Sequence, residues 1–173
     1  SRAVRGLLPA EWQRSAAPSR PYLWEKSYPA DLDWDTAFPV RSMTALFDEA
    51  VSEFSNLHCV NFRGRRYRYR EIADLVDRAA KGFQQLGVQK GIKVGLMLPN
   101  SPYAVVCFYA VLKAGGTVVN INPLYAEAGI ARLVSDSNLR ILVTLNVKPL
   151  YRKAAPLLDV SQQIEKLVVC SMA

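Results

Sequence analysis

From Ser42 onward, short apolar runs alternate with segments patterned as amphipathic helices, and glycines stand at several of the joints. That alternation constrains the fold more than any other feature. Two strands separated by a helix of about a dozen residues are too far apart in the chain for a tight hairpin, so they pair in parallel through a right-handed crossover. Repetition of the unit predicts a layered α/β domain, with helices on both faces of a mostly parallel sheet.

Ser42 is placed to cap a helix whose apolar positions Leu46, Phe47, Ala50, Val51 and Phe54 recur at steps of three and four. Cys59–Phe62 and Arg66–Tyr69 then alternate around Arg63-Gly64-Arg65, the pattern of a β-hairpin with Gly64 in the turn. This N-terminal β-hairpin makes the predicted sheet mixed. A second helix starts near Arg70, carries Ile72, Leu75, Val76, Ala79, Phe83 and Leu86 on one stripe, and stops at Gly87. The strand Ile92–Leu98 ends at Pro99. Ser101-Pro102 opens a third helix, apolar nearly all round and hence central, which runs to Lys113 before Gly115-Gly116. The expected remainder is a strand at Thr117–Ile121, a loop at Asn122-Pro123-Leu124, a helix over Ala126–Ser135 and a strand at Ile141–Thr144. A helix over Lys148–Leu158 and a strand at Lys166–Cys170 close it.

The sequence stops just after an apolar strand, which predicts an unpaired sheet edge and an incomplete subdomain over 42–173, part of a larger N-terminal domain. Such an edge offers a route to a homodimer of the fragment. Residues 1–41 read differently: they hold Trp12, Trp24 and Trp34 and five of the ten prolines without a stable period, as in an extended arm. The absence of an initiating Met and of a hydrophobic leader suits an excised section rather than a secretory precursor. The apolar run Ala104–Leu112 is far below the roughly 20 residues that span a bilayer.

The net charge of +7 would suit a nucleic acid, an anionic membrane surface or an acidic ligand. Its densest part is the hairpin, where Arg63, Arg65, Arg66, Arg68 and Arg70 interleave with Tyr67 and Tyr69. That pattern could grip phosphates and stack on bases, giving a self-contained α/β nucleotide- or nucleic-acid-binding module as the alternative. No RNP strand or GXXG loop accompanies it, and exposed arginine equally deters edge-to-edge pairing, so no nucleic acid partner is expected. Cys59, Cys107 and Cys170 are odd in number and widely spaced, which gives neither a disulfide framework nor a zinc motif. They are expected to act as small hydrophobes in a reduced, cytoplasmic compartment, with a peripheral place at the inner face of the membrane as a second setting. His58, the only histidine, lacks a recognisable orienting partner for nucleophilic catalysis.

Several segments, in order, resemble the AMP-forming acyl-CoA synthetases, also called adenylate-forming enzymes. They are Tyr69-Arg70-Glu71-Ile72; Leu86-Gly87-Val88-Gln89-Lys90-Gly91; Met97-Leu98-Pro99-Asn100-Ser101; the run Leu112-Lys113-Ala114-Gly115-Gly116-Thr117 through Asn120-Ile121-Asn122-Pro123-Leu124-Tyr125; and Asp136-Ser137. With Trp24-Glu25-Lys26-Ser27-Tyr28-Pro29 upstream, the wording is most similar to bacterial long-chain fatty acid-CoA ligases. Two positions depart from the pattern. Arg68 stands where the family usually has Thr, which removes a helix cap, and Gly91-Ile92-Lys93-Val94 stands where it usually has Gly-Asp-Arg-Val.

The resemblance implies a parent enzyme that joins a long-chain fatty acid to coenzyme A, using ATP and Mg2+, through an acyl-adenylate. It also implies that the phosphate loop and catalytic lysine lie further along the polypeptide, so that the remainder of that polypeptide is the chief partner. The chemistry needs backbone N–H groups in a flexible Gly/Ser/Thr loop and a lysine aimed at phosphate and carboxylate oxygens. The sequence has no such run. Lys113-Ala114-Gly115-Gly116-Thr117 is the nearest imitation, but in the order helix, glycines, strand it is a helix stop that presents carbonyls. No catalytic, cofactor-binding or metal residue is therefore assigned, and no cofactor is expected in this chain. Asn100, Asn120 and Asn122 are expected to fix loops, and Tyr125 is the one loop residue suited to border an acyl or coenzyme A channel.

Overall fold

The computed structural model describes residues 22–33, 36, 37, 39–160 and 163–172, with the backbone only at Val160. The chain divides into two compact units, Ser1–Val40 and Arg41–Ala173. In the first, a short 3-10 helix, Leu23–Ser27, places Tyr22 and Trp24 in a stack with ring centroids 5.0 Å apart and Trp24 edge-on to Tyr28 at 6.2 Å. Trp12 and Trp34 lie outside the described residues.

The second unit runs α1 (Met43–Phe54), β1 (His58–Phe62), β2 (Arg65–Arg68), α2 (Tyr69–Gln85), β3 (Lys93–Leu96), α3 (Pro102–Lys113), β4 (Thr117–Asn120), α4 (Glu127–Ser137), β5 (Ile141–Leu145), α5 (Lys148–Val160) and β6 (Lys166–Cys170). Strands β3 to β6 form a wholly parallel sheet in the order β4-β3-β5-β6. The hairpin β1–β2 stays a sheet of its own, so the antiparallel pairing is confined to it and does not extend the main sheet. The cause is local: β2 ends at Arg68 and the next residue already begins α2.

Each helix follows from its sequence. The Ser42 hydroxyl accepts from Ala45 N at 3.1 Å to start α1. Arg68 cannot accept a bond from the start of α2, but Glu71 Oε2 accepts from Arg68 N at 2.7 Å, so half of a capping box survives the missing Thr. At the far end Gly87, with φ +91°, donates to Gln84 O and lets Val88 N reach Phe83 O. The predicted central helix is α3. Val106, Cys107, Ala110 and Val111 are buried against the sheet, and Phe108 and Tyr109 pack beside them.

Alternation along the strands divides the core in two. Val94, Leu96, Ile141 and Val143 face α1, α2 and α3; Leu142 faces α4 and α5, with Met97, Ile121, Ile130, Val134 and Leu157 in the same cluster. β5 is buried along its whole length because helices cover both of its faces. β4 and β6 are the edge strands of the described sheet.

Candidate functional site

Open parallel sheets bind ligands beyond the carboxyl ends of the strands, where successive crossovers leave in opposite directions. Here that point lies between β3 and β5: β4 lies on one side of β3, and β5 and β6 lie on the other. The loops after β3, β4 and β5 meet at this edge.

After β3, Met97 N donates to Val143 O at 2.9 Å, and Ser101 caps α3, its side chain accepting from Ala104 N at 3.4 Å. Ser101 is buried and Asn100 exposed. Both border a hollow of ≈ 370 Å³ with Cys59, Val60, Asn61 and Phe62 of β1. After β4, Asn122 works as a turn-forming asparagine, its Oδ1 accepting from Leu124 N at 2.9 Å and its backbone carbonyl from Tyr125 N at 3.1 Å. Lys153 of α5 reaches under this loop, and its Nζ donates to Pro123 O at 3.0 Å and Tyr125 O at 2.8 Å. The pinned loop presents Leu124 and Tyr125, 87% and 51% exposed. Asn120 is an exposed rung of the β3–β4 ladder, opposite Leu96.

After β5, Asn146 joins the two neighbouring strand ends. Its N–H donates to Cys170 O at 2.9 Å, its Nδ2 to Ser171 Oγ at 3.1 Å, and its Oδ1 accepts from Met172 N at 2.9 Å. Tyr103 of α3 donates its hydroxyl to Ser171 O. Neither Asn146 nor Lys153 stands out in the sequence; the available signal for Asn146 is a polar residue directly after a mostly apolar strand. Thr144 is fully buried with its hydroxyl unpaired among the described residues. By the alternation of β5 it shares the face of Leu142, away from the start of α3, so it does not complete an anion cradle there.

The glycine pair after α3 is fully occupied. Gly115 N donates to Leu112 O at 3.0 Å and Gly116 N to Val111 O at 2.9 Å, which leaves neither N–H for a phosphate. Lys113 is equally committed: its Nζ lies 2.9 Å from Asp48 and 2.8 Å from Asp77, tying α3 to α1 and α2. Burial pulls its pKa down, but the bonds from Asp77 and Asp48 outweigh this and leave it above the ordinary lysine value. No group of three metal-ligating side chains occurs among the described residues. Lys113, Gly115 and Gly116 are thus not free to hold a phosphate.

The hairpin arginines are spread rather than gathered. Arg63, Arg65, Arg66 and Arg70 are exposed, and Arg65 lies over the Tyr67 ring at 4.6 Å, on the same face of β2 rather than opposite it. Arg68 is half-buried and faces exposed His58 across the hairpin. No described helix is long and apolar enough to cross a membrane.

Residues 47–172, spanning both helical layers and the whole sheet, match the AMP-binding enzyme family. The long-chain-fatty-acid–CoA ligase of Bacillus subtilis (strain 168) is 29% identical over 149 residues, 86% of this chain and 26% of the relative. That of Yersinia pestis is 32% identical over 127 residues, 72% of this chain and 22% of the relative. The chain thus spans about a quarter of the length of these relatives. Among solved structures, a long-chain-fatty-acid-CoA ligase from Archaeoglobus fulgidus superposes with a TM-score of 0.70 at 26% identity, covering 78% of this chain and 28% of that one. A benzoate CoA ligase from Burkholderia xenovorans LB400 shares the fold with a TM-score of 0.68 at 18% identity. The ordered motifs, the parallel sheet and the matched span agree: the chain belongs to the AMP-binding enzyme family.

Proposed function

We propose that this chain is the N-terminal scaffold section of a long-chain fatty acid-CoA ligase, and that it is catalytically silent alone. The parent reaction couples a fatty acid to coenzyme A at the expense of ATP, with Mg2+, through an acyl-adenylate. The observation that carries this reading is the family match over residues 47–172 in a chain spanning only about a quarter of ligase relatives. Within that span the lysine and both glycines of the nearest phosphate-loop imitation are already used by the scaffold, since Lys113 bridges three helices while Gly115 and Gly116 close the end of α3. In this reading residues 1–41 are an arm, residues 42–173 are part of a subdomain completed by further polypeptide, and Tyr125 borders the acyl or coenzyme A channel.

The test is pyrophosphate release from this chain with ATP, Mg2+ and a long-chain fatty acid, beside a longer chain that continues through a Ser/Thr/Gly-rich loop and its lysine. The short chain is expected to release none and the longer one to turn over. Release that scales with the concentration of the short chain would refute the scaffold reading, and a longer chain active only on a different carboxylate would refute the substrate class.

A further inference from the structure

Between α2, α3 and the edge strand β6 lies a groove of ≈ 580 Å³, walled by apolar residues such as Leu75, Phe83, Val106 and Val168. Two thiols line it, Cys107 from α3 and Cys170 from the end of β6. They stand 63 positions apart (170 − 107 = 63) and belong to no sequence motif. We propose that Cys107 and Cys170 form an oxidisable dithiol, which a peroxide closes to an intramolecular disulfide tying α3 to the sheet edge.

The fold brings both thiols to one groove. Cys107 comes from the buried face of α3 and Cys170 is the last residue of β6. One helical turn earlier on α3, Tyr103 donates to the carbonyl of Ser171, the residue after Cys170. Positions 103 and 107 share a face of α3, so the Tyr103 bond sets the face carrying Cys107 toward the end of β6. Cys107 is 5% exposed and Cys170 is half-buried, so an oxidant entering the groove meets Cys170 more readily.

Their surroundings also divide the labour. Interaction with Cys107 holds the Cys170 pKa below the usual thiol value despite burial, whereas interaction with Cys170 and burial both push Cys107 up. Cys170, the more exposed of the two as well as the one whose pKa is lowered, is therefore the thiolate that attacks, and Cys107 the thiol that resolves. Cys59 is a built-in contrast: burial raises its pKa, and its thiol donates to Tyr67 O at 3.6 Å.

In the first step the Cys170 thiolate attacks one oxygen of hydrogen peroxide. The O–O bond breaks, the departing hydroxide takes a proton to become water, and Cys170 becomes a sulfenic acid. The Cys107 sulfur then attacks the Cys170 sulfur. The S–S bond forms as the S–O bond breaks, and the leaving hydroxide carries off the Cys107 proton as a second water. Two thiols lose two electrons in all, and one peroxide is reduced to two waters.

To test this, the full chain is treated with hydrogen peroxide, alkylated under denaturing conditions and mapped by peptide mass. The expected result is loss of two of the three alkylatable thiols, a Cys107–Cys170 linked peptide pair, continued alkylation of Cys59, and recovery of both thiols on reduction. In Cys107→Ala the sulfenic acid on Cys170 has no resolving thiol, so its capture by dimedone rises several-fold over the wild type. Wild-type protein that keeps all three thiols, forms a bridge containing Cys59, or links only between molecules overturns the proposal. Because the mapping is done on the wild type, it decides the matter even if the variant does not fold.

Discussion

Replacing Gly116 with Ala tests whether the glycine pair after α3 is there for packing. A Cβ at this position would lie 2.6 Å from Val88 Cγ1, 3.1 Å from Val111 Cγ1 and 3.2 Å from the Ile92 carbonyl oxygen. Ordinary carbon contacts fall at about 3.5–4.0 Å, so the overlap with Val88 is close to 1 Å. None of the three neighbours yields easily. Val88 and Val111 are buried β-branched residues with a single free side-chain torsion, and the Ile92 carbonyl already accepts from Thr117 N at 2.9 Å. Overpacking costs about 1–3 kcal/mol, and a fixed carbonyl places this site in the upper half of that range. The smaller unfolded-state entropy of alanine returns about 0.4–1 kcal/mol, leaving a net loss of about 2 kcal/mol. Gly95→Ala is the matched control. Its Cβ would meet Leu139 Cδ2 at 2.8 Å and Ile121 Cδ1 and Leu142 Cδ1 at 3.1 Å, all ends of side chains that can swing, so its net loss is about 0–1 kcal/mol. All three tryptophans precede Arg41, so urea unfolding is best followed by far-UV circular dichroism. Gly116→Ala is expected to lower the midpoint by about 1 M. A Gly116→Ala midpoint equal to the wild type, or above that of Gly95→Ala, would refute the reasoning and free the pair for another role.

Lys113→Met removes the one ammonium shared by two carboxylates and is expected to cost about 0.5–1 kcal/mol, a modest figure because Asp48 and Asp77 are more than half exposed, and this cost should shrink toward zero near 1 M salt. The folded pKa of Lys113 is raised, so its contribution is complete below the ordinary lysine value and fades as pH rises through the folded pKa; the gap between wild type and variant should hold from neutral pH and close in strong alkali, as read by unfolding midpoints at each pH. Asn138 ends α4 with φ +53°, and Asn138→Ala is expected to lose about 1 kcal/mol while Asn138→Gly stays within a few tenths of the wild type; equal midpoints for the two variants would count against a left-handed cap.

The sequence announced its elements where a residue had only one physical use. Gly87 and Gly115 have positive φ, so each marked a helix stop to within two residues. The end of α4 was less visible because asparagine serves both in turns and as a left-handed cap, and the predicted stop at Ser135 falls two residues before the observed one at Ser137. The hairpin shifted by one residue for a similar reason. Alternation alone assigned Tyr69 to a strand, but Glu71 accepting from Arg68 N fixes the first turn of α2 and claims Tyr69 for the helix. Arg63 joins Gly64 at positive φ in a two-residue turn, and this sets Arg65 on the face of Tyr67.

Tertiary neighbours are a different matter, since periodicity gives the face of an element and not what lies opposite. Nothing in the spacing of Asn146, Ser171 and Tyr103 joins them, yet the β4-β3-β5-β6 order sets β6 beside β5 and brings the start of α3 to their carboxyl ends. The same order brings Cys107 and Cys170 to one groove, although each in isolation reads as a small hydrophobe. Lys153 makes the point in reverse. Its sequence context is that of an ordinary helix lysine, but both of its bonds go to carbonyls of the loop carrying Tyr125, so the placement of that aromatic ring depends on α5. What could be read locally in this chain is therefore scaffold. What could not are the contacts gathered at the carboxyl edge of the sheet, where the strand order decides which residues meet.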